Sequence, residues 1–552
     1  MIATDVVLIA ALLAFLAAWW IRSLPRRPEI LAGAAAVALV AGLVGVGLDR
    51  WQDWVGAALA AVALLTLGVN RLRKAKPRRW PPFISGGLFA VGAVVAVAAI
   101  VAFPINPLPK PSGPYAVGVR SFELDDASRR GVLSAKPDEP RRLLVRVWYP
   151  AGDVSGLARR PYFTPLEAHT MGRSVGELVK FPPFFTYLRH VSTNSYENAP
   201  LRPGSARLPV VFYSHGYTSF LGQNTALMET LASHGYVVFS VQHVYDSAAT
   251  VFPNGDVAPM DPKMIMELSG DGGGKPTHQQ LMSMVGPTLD DRMEGQLAMR
   301  EEALAKKQRL TRSGGIWLAD ELFVHDRLQA GDVPQAIKPI VAASDLTRTG
   351  EMGMSFGGAI AGSVCVLDHR CAAGVNLDGG DYPFQAFDGA MPVPFLMFHS
   401  DPSNIYRALG SKTGALHSFN EFSYETLATA GSNPNIYRVW LKGAQHVGLS
   451  DFSLFIRRPV RDPLLGTTPA KVLIGAQNDF VLGFFDRHLR GVANGFPAPQ
   501  LKAYAGWEAP LPNAEVRIWW ASKTPDQRAA IEARIERDRA GPERLPAALS
   551  AR

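Results

Sequence analysis

Gly353-Met354-Ser355-Phe356-Gly357 sets a serine between two glycines. A serine hydroxyl becomes a useful nucleophile when the backbone lifts it clear of its neighbours and a base takes its proton. A Gly-x-Ser-x-Gly pentapeptide meets the first need: at a tight strand-to-helix turn Oγ stands free, and bulky residues at the glycine positions would clash. The second need points to histidine. Of the 12 histidines, only His446 and His488 follow the later predicted strands, and His488 has a helical context, Phe485-Asp486-Arg487-His488-Leu489. His446, in Gly443-Ala444-Gln445-His446, is therefore the candidate base. An orienting acid is expected between serine and histidine in chain order. Asp378, after Val375-Asn376-Leu377, and Asp401, after Phe398-His399-Ser400, both end predicted strands, and pattern does not choose between them. A tetrahedral intermediate also needs two backbone N–H donors. Phe356, next after the nucleophile, is one candidate, and Tyr217, in Ser214-His215-Gly216-Tyr217-Thr218-Ser219, is the other. His215 reads as a loop-structuring residue rather than a second base. Together these residues support ester hydrolysis through an acyl-enzyme on Ser355. Neither a metal nor an organic cofactor is expected, because no cluster of ligands has metal-binding spacing.

Positioning such a set calls for strands that end at one edge of a sheet. Leu143–Tyr149, Pro209–Tyr213, Tyr236–Val241, Ala373–Leu377, Phe395–Phe398 and Tyr437–Leu441 read as strands, with a helix over Thr225–Ser233 and another over Gly358–Val366. Strands alternating with helices predict a mostly parallel central sheet with helices on both faces, the α/β-hydrolase fold. One stretch resists: Arg348-Thr349-Gly350-Glu351-Met352, leading into the serine, is more polar than a central strand should be. The hydrolase domain is expected over 113–500. An insertion or lid interrupts it at about 253–345, carrying a loose Gly270–Gly274 run and seven of the 14 methionines between Met260 and Met299. These methionines suit either an adaptable acyl pocket or gap filling over the core. Residues 501–552 form a C-terminal segment in which Thr524, Pro525 and Gln527 open a charged surface helix.

The 552-residue chain is 47% hydrophobic and only 19% charged, and the shortfall of charge lies in the first 110 residues. Four apolar stretches at about 6–20, 30–48, 54–69 and 83–103 predict a transmembrane module over 1–103, joined by a Pro-rich linker at 104–112. Trp19, Trp20, Trp51, Trp54 and Trp80 sit at the span ends, as in an interfacial aromatic belt. The net charge of +8 is concentrated here too, with 11 Lys/Arg against 4 Asp/Glu in residues 1–110. Because it lies in loops between spans rather than on a soluble face, nucleic-acid binding is rejected. Arg22, Arg26 and Arg27 follow the first span; Arg71, Arg73, Lys74, Lys76, Arg78 and Arg79 follow the third. The positive-inside bias then predicts a multi-pass cell-membrane protein with its hydrolase domain on the non-cytoplasmic side. No ionisable residue is expected within the spans, which read as an anchor rather than a transport path. The two cysteines, Cys365 and Cys371, read as small buried residues flanking a turn; a bridge between them would need an oxidising compartment. The patch Phe181-Pro182-Pro183-Phe184-Phe185-Thr186-Tyr187 reads as core packing in preference to a lipid-facing surface.

Several blocks together resemble the platelet-activating factor acetylhydrolase family (plasma and type II enzymes) and, more loosely, the dienelactone hydrolase group. They are Gly113-Pro114-Tyr115-Ala116-Val117-Gly118, Ser214–Tyr217 followed by Leu231-Ala232-Ser233-His234-Gly235-Tyr236, His243-Val244-Tyr245-Asp246-Ser247-Ala248, Gly353–Gly358 and Gly374–Asp378. They occur in the family's order over roughly 112–490. Met354 stands where that family often has histidine, and the membrane module and Met-rich insertion are departures. The resemblance implies Asp378 as the acid and the block around Gln445-His446 as the base. It also implies a calcium-independent esterase acting on short or oxidised acyl chains of a lipid or small ester. A non-catalytic hydrolase-fold sensor or scaffold, and an acyltransferase to a cell-envelope acceptor, are the alternative expectations.

Overall fold

The computed structural model of the chain describes residues 1–72, 82–264, 278–306, 309–381, 385–403 and 417–540. Arg73, Lys74, Lys76, Arg78, Arg79 and Trp80 of the third loop, and the Gly270–Gly274 run, lie outside the described residues. The chain forms two compact units. One is Met1–Leu108 with Pro161–Ser192 and Leu454–Pro463; the other is Pro109–Arg160, Thr193–Ser453 and Leu464–Arg552.

The first unit contains α1 (Ala3–Trp20), α2 (Arg27–Gly47), α3 (Trp54–Leu72) and α4 (Pro82–Ala102). Each is long and apolar enough to cross a bilayer, the third counted from Trp51. Small residues let the helices approach: Ala11, Ala38, Ala60, Ala93 and Ala96 are buried together with Leu8, Leu12 and Ile100. The expectation of spans free of ionisable residues is corrected here. α1 begins at Ala3 and so includes Asp5, which is fully buried and accepts the Ile2 N–H at 2.9 Å. Arg50 neutralises it, its Nε lying 2.9 Å from Asp5 Oδ1. The same guanidinium donates to the carbonyls of Phe103 at 2.7 Å and Ile100 at 2.9 Å. It thus places a cation at the carbonyl-rich end of α4 and pairs with a carboxylate near the amide-rich start of α1, as the helix dipoles favour.

Two later segments join this unit. Trp51 packs its ring 6.0 Å from Phe184 and 4.9 Å from Phe181, and its Nε1 donates to the Phe184 carbonyl at 3.1 Å. Tyr187 is buried and donates its hydroxyl to the Phe455 carbonyl at 2.7 Å. Within the aromatic patch, Phe185, Thr186 and Tyr187 are therefore packed, as expected, with Phe181 at the margin.

Among the described residues, the second unit is built on thirteen strands: β1 (Ala116–Arg130), β2 (Pro140–Ala151), β3 (Arg159–Pro161), β4 (Ser192–Glu197), β5 (Leu208–Ser214), β6 (Val237–Gln242), β7 (Thr250–Val251), β8 (Val257–Ala258), β9 (Ser344–Met354), β10 (Cys371–Leu377), β11 (Phe395–His399), β12 (Ile436–Leu441) and β13 (Glu508–Pro510). Eleven form one sheet in the order β13-β12-β11-β10-β9-β5-β6-β2-β1-β4-β3, and β7 pairs with β8. From β6 to β12 the neighbours are all parallel, while β2 and β13 join their neighbours antiparallel. This is the α/β-hydrolase architecture. Parallel strands covered on both faces read as continuous apolar runs, and β6 and β11 are buried at every residue. Alternate side chains serve opposite faces. Val211 and Tyr213 join a core with Leu227 and Leu231 of the helix Thr225–Ser233 and Phe480 and Phe484 of the helix Ala470–His488. Val210 and Phe212 join another with Val324 and Leu328 of the helix Arg309–Gln329.

The polar approach to the serine is a true central strand, β9, because its polar groups find partners. Buried Glu351 lies 3.4 Å from His325 Nε2 and accepts from Thr349 Oγ1 at 2.9 Å, while exposed Arg348 donates to the carbonyls of His488 and Leu489. The cysteine expectation is also corrected: Cys365, in the helix Phe356–Leu367, and Cys371, at the start of β10, form a disulfide across a Cα separation of 5.0 Å. Met293 packs with Phe387, Phe422 and Trp520, filling a core rather than lining an opening. The tail helix Pro525–Arg539 starts as expected, Gln527 N–H donating to Thr524 Oγ1, and Ile535 anchors it to the same cluster.

Candidate active site

Ser355 joins β9 to the helix Phe356–Leu367 and holds φ 55° and ψ −123°. A side chain in that conformation is strained, and its neighbours must make room. They do so as glycines: a Cβ on Gly353 would stand 2.2 Å from the Gly357 carbonyl carbon, and one on Gly357 would stand 2.1 Å from the Ser214 carbonyl oxygen. Both contacts are impossible for a larger residue, so the pentapeptide's spacing is the condition for this turn.

His446 opens a short 3-10 turn, His446–Leu449, after β12. Its Nε2 lies 2.8 Å from Ser355 Oγ, and its Nδ1 lies 2.7 Å from Asp378 Oδ2. Asp378 follows β10 and is almost wholly buried, whereas the imidazole is 45% exposed. Burial alone would raise the Asp378 carboxyl; the hydrogen bond and charge of His446 and the Ser400 N–H, at 2.7 Å, overcome it and hold the group below the usual carboxylate range. A carboxylate can only accept, so His446 keeps its proton on Nδ1 and presents the Nε2 lone pair to the serine hydroxyl. The geometry joins a hydroxyl, an imidazole and a carboxylate in one hydrogen-bonded line.

Asp401 lies elsewhere. It accepts from Gly443 N–H at 2.8 Å and Ser403 N–H at 2.9 Å, and its own N–H donates to the Ala444 carbonyl at 2.7 Å. It thus ties down the chain shortly before His446 without reaching the imidazole. His488 is in the helix Ala470–His488, bonded to the Tyr437 hydroxyl at 3.2 Å. Phe356 follows the serine directly, and the Tyr217 ring packs 5.4 Å from the Phe356 ring. A Cβ on the adjacent Gly216 would stand 3.5 Å from Ser355 Cβ, so the loop carrying Tyr217 passes beside Ser355.

Sequence reading gave no role to Trp317, Asp320 or Asp246, which pack behind that loop. Asp246 accepts from Ser313 and Arg309, and Asp320 pairs with His243 and Arg141. The helix Arg309–Gln329 carries no motif; the only signal was the block His243–Ala248.

His399, at the end of β11, is buried beside Ser418, whose Oγ is 3.2 Å from Nδ1. Burial, reinforced by the Arg438 charge, pushes it from 6.5 to about 3. The folded ring is neutral where the unfolded one binds a proton. Its contribution to stability is therefore complete above about pH 6.5 and is lost as pH falls toward about 3, with a slope of up to about 1.4 kcal/mol per pH unit. His399→Gln is expected to flatten the acid limb of a stability-versus-pH curve measured by denaturant unfolding. Equal slopes in both proteins would refute the assignment.

Residues 100–267 match the family described as platelet-activating factor acetylhydrolase, isoform II. The chain is 25% identical over 406 residues to a probable 1-alkyl-2-acetylglycerophosphocholine esterase of Arthroderma benhamiae, covering 69% of this chain and 86% of that protein. It is 24% identical over 400 residues to the platelet-activating factor acetylhydrolase of Cavia porcellus, covering 71% and 80%. The chain is a carboxylic ester hydrolase related to the platelet-activating factor acetylhydrolases. Among solved structures, a ferulic acid esterase from Streptomyces cinnamoneus aligns with a TM-score of 0.49 at 23% identity, over 74% of this chain and 100% of that one. The family match begins at residue 100, at the end of the fourth apolar helix, Pro82–Ala102.

Proposed function

We propose that the protein is a membrane-anchored serine esterase that cleaves short or oxidised acyl groups from lipid-like esters through an acyl-enzyme on Ser355. The observation that carries this reading is the unbroken line from Asp378 Oδ2 through His446 to Ser355 Oγ, with separations of 2.7 and 2.8 Å. Ser355 Oγ attacks the ester carbonyl as His446 Nε2 takes the hydroxyl proton. The C–O bond to the alcohol then breaks, and His446 returns the proton to the leaving oxygen. Water, deprotonated by the same nitrogen, attacks the acyl-enzyme, and the acid departs as the serine recovers its proton. The amides of Tyr217 and Phe356 stabilise each oxyanion.

The relatives' names support a lipid-like ester with a short acyl group. Four helices able to span a bilayer support anchoring. The disulfide supports a hydrolase domain outside the cytoplasm, since such bonds persist in oxidising compartments. That agrees with the basic first loop, Arg22, Arg26 and Arg27. The test reconstitutes the full chain in phospholipid vesicles that contain acetylated ether phospholipid. Release of acetate at a rate well above that of a long-chain phospholipid is expected. Turnover confined to soluble esters would remove the lipid substrate from the reading.

A further inference from the structure

The peptide unit joining Gly216 to Tyr217 contains both the Gly216 carbonyl and the Tyr217 N–H, which point in opposite directions across a trans bond. Whatever grips that carbonyl also aims that N–H. His215 grips it: its Nδ1 lies 2.7 Å from Gly216 O. The ring's other nitrogen, Nε2, accepts the backbone N–H of His243 at 3.2 Å. An acceptor nitrogen carries no proton, so a neutral His215 must hold its proton on Nδ1, where it donates to Gly216 O. Burial and the neighbouring His243 push His215 well below its ordinary value, consistent with a neutral ring.

The support is fixed from several sides. Trp317 packs edge-on to His215 at 4.9 Å and stacks on His243 at 3.8 Å. His243 is itself held between Asp320 Oδ2 at 3.0 Å and Ser214 Oγ at 2.9 Å. The flanking amides are committed as well, Gly216 N–H to Gln223 Oε1 at 2.8 Å and Thr218 N–H to Asp246 O at 3.3 Å. Such a frame resists a flip of the intervening peptide.

We propose that His215 is a positioning residue of the oxyanion hole: by donating to the Gly216 carbonyl in a tautomer set by the His243 amide, it turns the Tyr217 N–H toward the developing negative charge. The role rests on the serine-esterase reading above. His215 touches no substrate and moves no proton in the reaction.

The experiment compares His215→Asn with His215→Gln in the full-length protein. The Asn amide can donate from near the Nδ1 position; the Gln amide reaches the Nε2 position and leaves Gly216 O without its donor. Both are polar and of similar size, so a folding loss common to the two cancels in the comparison. Loss of one oxyanion donor costs about 10²–10³-fold in kcat. The Gln variant should lose about that much with KM nearly unchanged, and the Asn variant should recover most of it. A thionoester substrate sharpens the test, because sulfur accepts hydrogen bonds poorly. Its turnover should fall much less than that of the matching ester in the Gln variant. Equal kcat in both variants, or an equal loss on ester and thionoester, would overturn the proposal. Fluorophosphonate labelling of the wild-type protein at Ser355 is measured first. Its absence would bring down the esterase reading and this role with it, a result distinct from labelled protein in which the two variants behave alike.

Discussion

Ser355→Ala is expected to lower ester turnover by at least about 10⁴-fold, and by as much as about 10⁶-fold if the group acts as serine nucleophiles do elsewhere. The reason is local. The hydroxyl oxygen lies 2.8 Å from His446 Nε2, the nitrogen placed to take its proton. Its removal leaves the imidazole, Asp378 and the loop beside Ser355 in place, so what survives is the small rate that binding and oxyanion stabilisation confer on water. The alanine variant keeps the turn's two glycines and should unfold along the wild-type curve. Steady-state turnover of an acetyl ester, paired with circular dichroism on heating, checks both halves. A variant retaining a tenth or more of wild-type activity would remove Ser355 from the chemistry.

Asp378→Asn is expected to cost about 10⁴-fold in kcat, the scale of that substitution in a comparable triad. The carboxylate accepts from His446 Nδ1 at 2.7 Å and so dictates which nitrogen bears the proton. An asparagine amide donates toward Nδ1 and drives the proton to Nε2, where it blocks acceptance from Ser355. Asp401→Asn is the control. That side chain bonds to Gly443 N–H and Ser403 N–H, so its loss should loosen the approach to His446 and lower activity only a few-fold. If the two variants lost activity to the same degree, the division of roles between the aspartates would be wrong.

The contrast between these aspartates marks where sequence reading stops. Each ends an apolar strand and is followed by a turn, so local pattern treats them alike. Strand order separates them: β10 lies beside β9, whereas β11 is one strand farther away. That adjacency is a long-range property which no window of residues contains. The serine turn was legible because its constraint is steric and local, written in Gly353 and Gly357. Central strands were legible where the run is apolar, as in Phe395–Phe398 of β11. β9 was harder to read because the partners of Glu351 and Arg348, His325 and the His488 and Leu489 carbonyls, come from distant helices. Asp5 escaped notice for the same reason: an acidic residue beside an apolar stretch looks like its boundary until a buried arginine is found to neutralise it. The disulfide depended on whether a helix end and the next strand would bring two sulfurs together, which spacing left open.

The N-terminal unit has a further consequence during synthesis. Its helices leave the ribosome first, yet Trp51 bonds to a carbonyl 133 residues downstream, and Tyr187 bonds to one 268 residues beyond itself. Arg457, later still, donates its N–H to the Ala102 carbonyl. This unit therefore cannot complete its packing until most of the polypeptide has been translated, and loop-closure entropy opposes each return. Until then the rings around Trp51 lack their partners. A nascent chain stalled before residue 450 would present that unfinished surface to chaperones and proteases, so premature termination late in the gene should be felt at its opposite end.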